Sequence, residues 1–391
     1  MIRTVSYQMK RIRPEIKILL SLAGTIFGLF LFTVPTSALP YLSSPYYCLV
    51  EGDSGQVIIS RQADVIRPVA STTKMMTAIM ALEYASPDEI AVVSQNAGRT
   101  PQYSIGLRAG QEIPVSELLK VALLRSANDA AVVLAEHIGG DEQFFGHLMS
   151  KKAFAIGAVS THFRNASGLP AADHYSTAYD LAHIGSYLLH NDYLRSIVAT
   201  RQTTFKHPGY QQPMIINNTN VLLSTYPGAN GIKTGTTNAA GKCLVASATR
   251  NKRQLIAVSL KSGDRQRDCA SLLEYGFNNS MLTKVVDKSR PFKQLQVTHG
   301  KYPSIEVYPA QDIYVWKTAS TPDIQKRVKV NYEVKAPVYP GQKLGSLTIY
   351  ADQKPVMSTD LLSRQQVERE RTPLRRFLQN LKPAKRISCI S

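Results

Sequence analysis

Apolar and polar positions along this chain repeat with two different periods, and the switches between them outline its elements. Tyr46 to Val50 and Gln56 to Ile59 are short apolar-rich runs on either side of Asp53-Ser54-Gly55, a strand, a turn and a strand. From Ser71 to Tyr84 the period lengthens: Met75, Ile79 and Leu82 share one helical face, with Met76 and Met80 beside it. Ser116 is placed to cap a helix over Glu117 to Arg125. A helix over Ala130 to Ile138 stops at Gly139-Gly140, and Thr177 to Leu189 is another. Leu244 to Thr249 and Gln254 to Leu260 then read as a hairpin through Arg250-Asn251-Lys252-Arg253. Strands at both ends with helices between predict one α/β domain whose sheet is closed by its last strands.

After Phe277 the helical period disappears. Gln294 to Thr298, Ser304 to Tyr308, Asp312 to Trp316, Arg327 to Val334 and Lys343 to Tyr350 alternate instead, with Gly and Pro between several of them. They predict a small all-β domain over residues 291–361, following an α/β domain over 39–290.

The two ends carry a different pattern. Arg3, Lys10, Arg11, Arg13 and Lys17 precede an apolar run from Ile18 to Val34 and then Pro35-Thr36-Ser37-Ala38. That is the layout of a signal peptide over residues 1–38, cut after Ala38. An uncleaved anchor is the alternative, because the run is close to the shortest membrane span; either way the remainder is exported. At the far end, Thr372 and Pro373 suit a helix cap and first turn. Leu374, Phe377, Leu378 and Leu381 follow at helical spacing among Arg375, Arg376, Lys382, Lys385 and Arg386. Residues 362–391 therefore read as a basic amphipathic tail for an anionic membrane surface, with docking on the β domain as the alternative.

Composition narrows the class. With 44% apolar and 19% charged residues, the 391-residue chain is of the folded, globular kind. Its net charge of +18 calls for an acidic partner. No C-x-x-C zinc spacing, RNP-like aromatic run or basic heptad region directs that charge to nucleic acid, so the membrane surface is preferred. Cys48, Cys243, Cys269 and Cys389 lie far apart without metal-ligand spacing. Cys48 and Cys243 sit in apolar strand-like stretches and read as buried free thiols. Cys389 has only its position to suggest lipidation.

Three short motifs carry the chemistry. Ser71-Thr72-Thr73-Lys74 sets a hydroxyl and an amine one helical turn apart, an arrangement that can activate a serine without a histidine. Lys74 can accept the serine proton only as a neutral amine, so burial or a second cation must lower its pKa; Lys233 is the candidate cation. Ser126 and Asn128 form a second wall, a hydroxyl to relay protons and an amide to grip a substrate amide. Both could equally cap the following helix. Lys233, Thr234 and Gly235 form a third: two donors for a carboxylate, and a glycine that lets a peptide approach a strand edge closely. The backbone N–H groups of Ser71 and Thr236 are candidate oxyanion donors. Each motif alone is common.

Together, and in this order, the motifs make the chain resemble the low-molecular-mass penicillin-binding proteins, serine-type D-alanyl-D-alanine carboxypeptidases. The resemblance extends through Pro68-Val69-Ala70-Ser71-Thr72-Thr73-Lys74, Arg125-Ser126-Ala127-Asn128-Asp129, Asn165-Ala166-Ser167-Gly168-Leu169-Pro170, His174-Tyr175-Ser176-Thr177-Ala178 and Gly231-Ile232-Lys233-Thr234-Gly235-Thr236. It covers roughly Tyr46 to Phe277 and, more loosely, the β domain around Ala336-Pro337-Val338-Tyr339-Pro340-Gly341. It implies a β-lactamase/transpeptidase-like catalytic domain, an antiparallel sheet flanked by helices. Ser71 would be the nucleophile acting on peptidoglycan stem peptides ending in D-Ala-D-Ala, Lys74 its base and Ser126 the proton relay. Asn128, Lys233, Thr234, Gly235 and Thr236 would bind substrate. Arg265, or Arg267 in its place, would stand near the substrate carboxylate. β-Lactams would acylate Ser71, no metal or organic cofactor is implied, and the place of action would be the periplasmic face of the cytoplasmic membrane. Ala127 stands where glycine is frequent in the family, and Thr236 where a larger residue often follows. A D,D-endopeptidase, a class A-like β-lactamase and a non-enzymatic wall-binding shape protein are the alternatives. Asn165 to Pro170 in place of a glutamate loop, and the added β domain, count against the lactamase.

Overall fold

A computed structural model describes residues 39–370 except 102, 320–323 and 352. The expected leader, the amphipathic segment from Thr372 and Cys389 lie outside the described residues. Strands β1 (Tyr46–Glu51) and β2 (Val57–Arg61) form the first hairpin. β3 (Ala229–Thr237), β4 (Gly241–Arg250) and β5 (Arg253–Ser262) complete an antiparallel sheet of order β2-β1-β5-β4-β3. Pairing of β1 with β5, Tyr46 opposite Leu260, inserts the first strand beside the last. The late strands thus close the sheet, as the pattern of elements predicts.

Both faces of this sheet are covered. Cys48, Val50, Cys243, Val245, Ile256 and Val258 join the large core under the helices. The alternate residues Leu49, Leu244, Ala246, Leu255 and Ala257 pack on the other side. There they meet Leu272 and Leu273 of the helix Arg265–Asn279. Strands buried on both faces read as continuous apolar runs, which is why their burial does not alternate. The three described cysteines, Cys48, Cys243 and Cys269, are buried.

Helix α1 (Lys74–Tyr84) follows a 3-10 turn over Ala70–Thr73, α2 spans Val115–Lys120, α3 Asn128–Gly139, α4 Glu142–Ala155 and α5 Ala178–Leu189. α1 is buried along nearly its whole length through Met75, Met76, Ile79 and Met80, so it runs through the domain rather than across its surface. Ser116 does not cap α2. The helix starts at Val115, two residues before the expected Glu117, and the Ser116 N–H donates to Pro87 O at 2.8 Å. Nor is the segment to Arg125 one regular helix: Val121–Arg125 forms a π turn that ends on Ser126.

From Met281 to Glu370 the described chain is all β. A six-stranded sheet and a two-stranded one enclose a core of Val286, Leu295, Val307, Val315, Leu347, Ile349 and Leu361. The strand Met281–Val286 pairs with Ile313–Lys317, and Lys354–Ser363 pairs with Lys343–Ala351. The alternation assigned neither Met281–Val286 nor Lys354–Ser363. One is half exposed, and the other carries Pro355 and the polar run Ser358-Thr359-Asp360. Beyond Leu361 the chain stays on this domain: Val367 is buried and bridges Val338. Among the described residues no helix is long and apolar enough to cross a membrane.

Candidate active site

The site lies where the 3-10 turn meets β3, the edge strand of the sheet. In a 3-10 turn residues three apart eclipse each other, so Ser71 and Lys74 stand in line. Lys74 Nζ is 2.9 Å from Ser71 Oγ. The turn is entered through Ala70, at φ 52, a left-handed conformation that costs a non-glycine residue about 1 kcal/mol or more. Two glycines press against it. A Cβ on Gly168 would come within 2.0 Å of Ala70 O, and one on Gly235 within 2.9 Å of Ser71 N. β3 thus runs directly past the Ser71 amide, a contact that requires glycine at 235.

Lys74 is 0% exposed and Lys233 1%. Lysine is almost never buried this completely without a paired carboxylate, yet among the described residues neither forms an ion pair. Besides Ser71, Lys74 Nζ meets Asn128 Oδ1 at 2.7 Å and Ser167 O at 2.6 Å. Those two oxygens can only accept. A neutral amine has two N–H bonds to give them and a lone pair left over, and that lone pair falls to the one partner with a hydrogen of its own, Ser71 Oγ–H. Burial first, and the Lys233 charge second, hold the Lys74 pKa well below the ordinary lysine range; Asp129 and Glu142 oppose this by less. The Lys233 pKa falls to about 7, through burial and then the Arg265 charge.

The middle motif is brought to the same place by an irregular backbone. Ser126 ends the π turn at φ 69 and ψ 33, half-buried. Neither Ser126 nor Asn128 caps α3, which starts behind Ala127 without a side-chain cap. Asn128 instead turns inward to Lys74, and its Nδ2 donates to Pro101 O at 3.2 Å. The Ser126 hydroxyl bonds to neither amine.

On the third wall, Thr234 Oγ1 lies 2.6 Å from Thr219 Oγ1, and Lys233 Nζ donates to Thr234 O at 2.9 Å. Thr236 is exposed beside them. Arg265 reaches β3 from the first residue of its helix, donating to Gly235 O at 2.9 Å and Thr236 Oγ1 at 2.8 Å. Arg267 is exposed. Ser71, Lys74, Asn128, Lys233, Thr234, Gly235, Thr236 and Arg265 thus meet at one site. Among the described residues no group of three His, Cys, Asp or Glu is arranged for a metal.

Several participants were not singled out by residue type. The Asp129 carboxylate accepts the N–H groups of Ile105, Gly106 and Leu107 at 3.0 to 3.3 Å, tying that loop to α3. Glu142 accepts the Ala166 N–H at 3.0 Å. Thr77 donates to Ala166 O at 2.6 Å, so loop 165–168 is stitched to successive turns of α1. Ser167 contributes only its carbonyl, which leaves no trace in side-chain chemistry. Gly168 was the available signal.

A family model described as D-alanyl-D-alanine carboxypeptidase matches residues 33–263, and one for the penicillin-binding protein 5 C-terminal domain matches 281–369. The D-alanyl-D-alanine carboxypeptidase DacF of Bacillus subtilis is 31% identical over 314 residues, 78% of this chain and 80% of its own. The crystal structure of DacD from Francisella tularensis superposes with a TM-score of 0.68 at 26% identity, covering 85% of this chain and 95% of that one. Penicillin-binding protein D2 of Listeria monocytogenes, in an ampicillin-bound form, gives 0.55 at 29% identity over 61% of this chain and 99% of its own. With family models covering both domains, the chain belongs to the D-alanyl-D-alanine carboxypeptidase family of peptidoglycan-modifying serine hydrolases.

Proposed function

We propose that Ser71 cleaves the bond between the two terminal D-alanines of a peptidoglycan stem peptide. The Ser71 proton passes to the Lys74 lone pair as Oγ bonds to the penultimate D-alanine carbonyl carbon. The resulting oxyanion is held by the N–H groups of Ser71 and Thr236. Collapse breaks the C–N bond, and the departing D-alanine amine takes a proton from Lys74 through the Ser126 hydroxyl. Water then attacks the Ser71 ester, its proton going to Lys74 and onward to Ser71 Oγ as that ester bond breaks. Asn128 orients the penultimate amide. Lys233, Thr234 and Arg265 receive the terminal carboxylate, and the free edge of β3 accepts the stem as an added strand. β-Lactams acylate Ser71 by the same route; the ampicillin-bound form of the Listeria relative supports this.

The observation that carries this reading is the placement of Lys74: fully buried, 2.9 Å from Ser71 Oγ, and among the described residues in no ion pair with a carboxylate. Purified protein given a pentapeptide ending in D-Ala-D-Ala should release D-alanine, and Ser71→Ala should not. A labelled penicillin found on any other residue refutes the assignment, and cleavage confined to cross-linked dimers makes the protein an endopeptidase. The basic amphipathic pattern from Thr372 to Ser391 supports attachment to the outer face of the cytoplasmic membrane. Deleting those residues should move the protein to the soluble fraction, and unchanged fractionation excludes the anchor.

A further inference from the structure

Behind the turn that carries Ser71, on the side of the Ala70 carbonyl, lies a chain of polar groups that the reaction above does not use. His174 is buried, and its Nδ1 accepts the backbone N–H of Arg164 at 3.2 Å. A ring nitrogen that accepts carries no proton, so the ring hydrogen sits on Nε2. Nε2 lies 2.8 Å from Thr73 Oγ1, to which it therefore donates. The Thr73 hydroxyl, with its oxygen occupied as an acceptor, sends its own hydrogen to Ala70 O at 2.8 Å. Every donor in the series has one acceptor, and the direction runs one way: Arg164 N–H, His174, Thr73, Ala70 O.

The last member gives the series its purpose. Ala70 O and the Ser71 N–H belong to one planar peptide unit and point in opposite directions across it. A bond that fixes the carbonyl on one side also fixes the direction of the amide on the other. That unit follows a residue held at φ 52, so its orientation is not the one an alanine adopts by preference. Gly168 lies flat against the same carbonyl, close enough that a Cβ there would overlap Ala70 O.

We propose that His174, acting through the Thr73 hydroxyl, is a positioning residue that aims the Ser71 N–H at the oxyanion. It touches neither substrate nor the reacting atoms. The inference rests on the assignment of Ser71 made above and adds that a buried imidazole on the far side of the turn maintains half of the oxyanion site. Two features suit His174 to this task. Its ring packs edge-on to Phe163, with centroids 5.6 Å apart, which limits rotation. Its only titratable neighbour of consequence is His162, and burial keeps the ring neutral, with a pKa brought down to about 4.

The test uses Thr73→Val and His174→Phe, which keep volume and remove the polar series, against Thr73→Ser and His174→Gln, which keep a hydroxyl and an N–H donor. For each, D-alanine release, acylation by a fluorescent penicillin and affinity for a peptidyl boronic acid are measured; the boronate adduct presents a tetrahedral oxygen to the site. The first pair should lower kcat and the acylation rate constant about 10- to 100-fold. Boronate affinity should fall by a similar factor, with KM changed less than about threefold. The second pair should recover to within about threefold of wild type. Unchanged acylation in the first pair, a loss confined to KM, or failure of Thr73→Ser to recover each overturns the proposal. Should the first pair not fold, nitrogen-15 NMR of wild-type His174 decides it: a proton on Nε2 is required, and one on Nδ1 refutes it. Wild-type protein that neither binds penicillin nor releases D-alanine overturns the assignment of Ser71 itself, whereas an active wild type with indifferent variants overturns only the role of His174.

Discussion

Two lysines are buried at the site, and they differ in what surrounds them. Lys74 is enclosed by two carbonyl-type oxygens and a hydroxyl, whereas Lys233 is held near pH 7 by burial and the Arg265 charge. Lys233 is cationic below that point and neutral above it. KM for a peptide with a free terminal carboxylate should therefore rise between about pH 6 and pH 9, while a peptide ending in a carboxamide shows no such change. Parallel KM profiles for the two peptides would remove Lys233 from carboxylate binding. His174 gives a stability effect of defined sign. The folded protein leaves it neutral down to about pH 4, but the unfolded chain protonates it near 6.5. Between those values the unfolded state binds more protons, so stability falls as pH falls, by up to about 3 kcal/mol. Urea unfolding at pH 7 and pH 4.5 should show a larger loss for wild type than for His174→Gln; equal losses would contradict the assignment.

Helix α1 and strand β3 bring their residues together only because glycine stands at two crossings. Gly168 combines a φ of +81 with a Cβ position 2.0 Å from Ala70 O. Gly168→Ala should destabilise the protein by at least about 2 kcal/mol and slow acylation, since the only relief is to move the turn carrying Ser71. Wild-type melting and wild-type acylation together would show that the crossing is looser than described. The glycine at 235 was readable from the strand-edge argument. Gly168 was visible as a turn residue, but nothing in its neighbours says that a catalytic turn lies on top of it. Ser126 shows the same limit. As a serine before a helix it reads as a cap, and only the preceding π turn diverts it from that role.

The catalytic and β domains meet through a small set of strong contacts. Gln56 Nε2 donates to Trp316 O at 2.6 Å and the Trp316 N–H donates to Gln56 Oε1 at 2.8 Å, a side chain pairing with the backbone as a strand would. The Arg253 guanidinium lies 3.4 Å from the centre of the Trp316 ring. Lys354 reaches Asp64 at 2.6 Å and covers the Tyr179 ring at 3.2 Å. Combined Gln56→Ala and Trp316→Ala should weaken this joint by about 1–3 kcal/mol and separate a single calorimetric transition into two, with D-alanine release retained. A single transition at the wild-type temperature would show that other contacts hold the domains together.

Continuous apolar runs marked the strands buried on two faces, and periodicity marked the central helix and the alternating C-terminal domain, with an apolar position every three to four or every two residues. The motif lysines were equally plain as residue types. Tertiary packing decided everything that depends on which backbone atoms meet across long separations. It buries Lys74 against the carbonyl of Ser167, sets Gly168 on Ala70, and places His174 behind Thr73 from 101 residues away. Carbonyls and peptide planes are the same in every residue, so no sequence pattern marks the ones that a fold turns toward a charge.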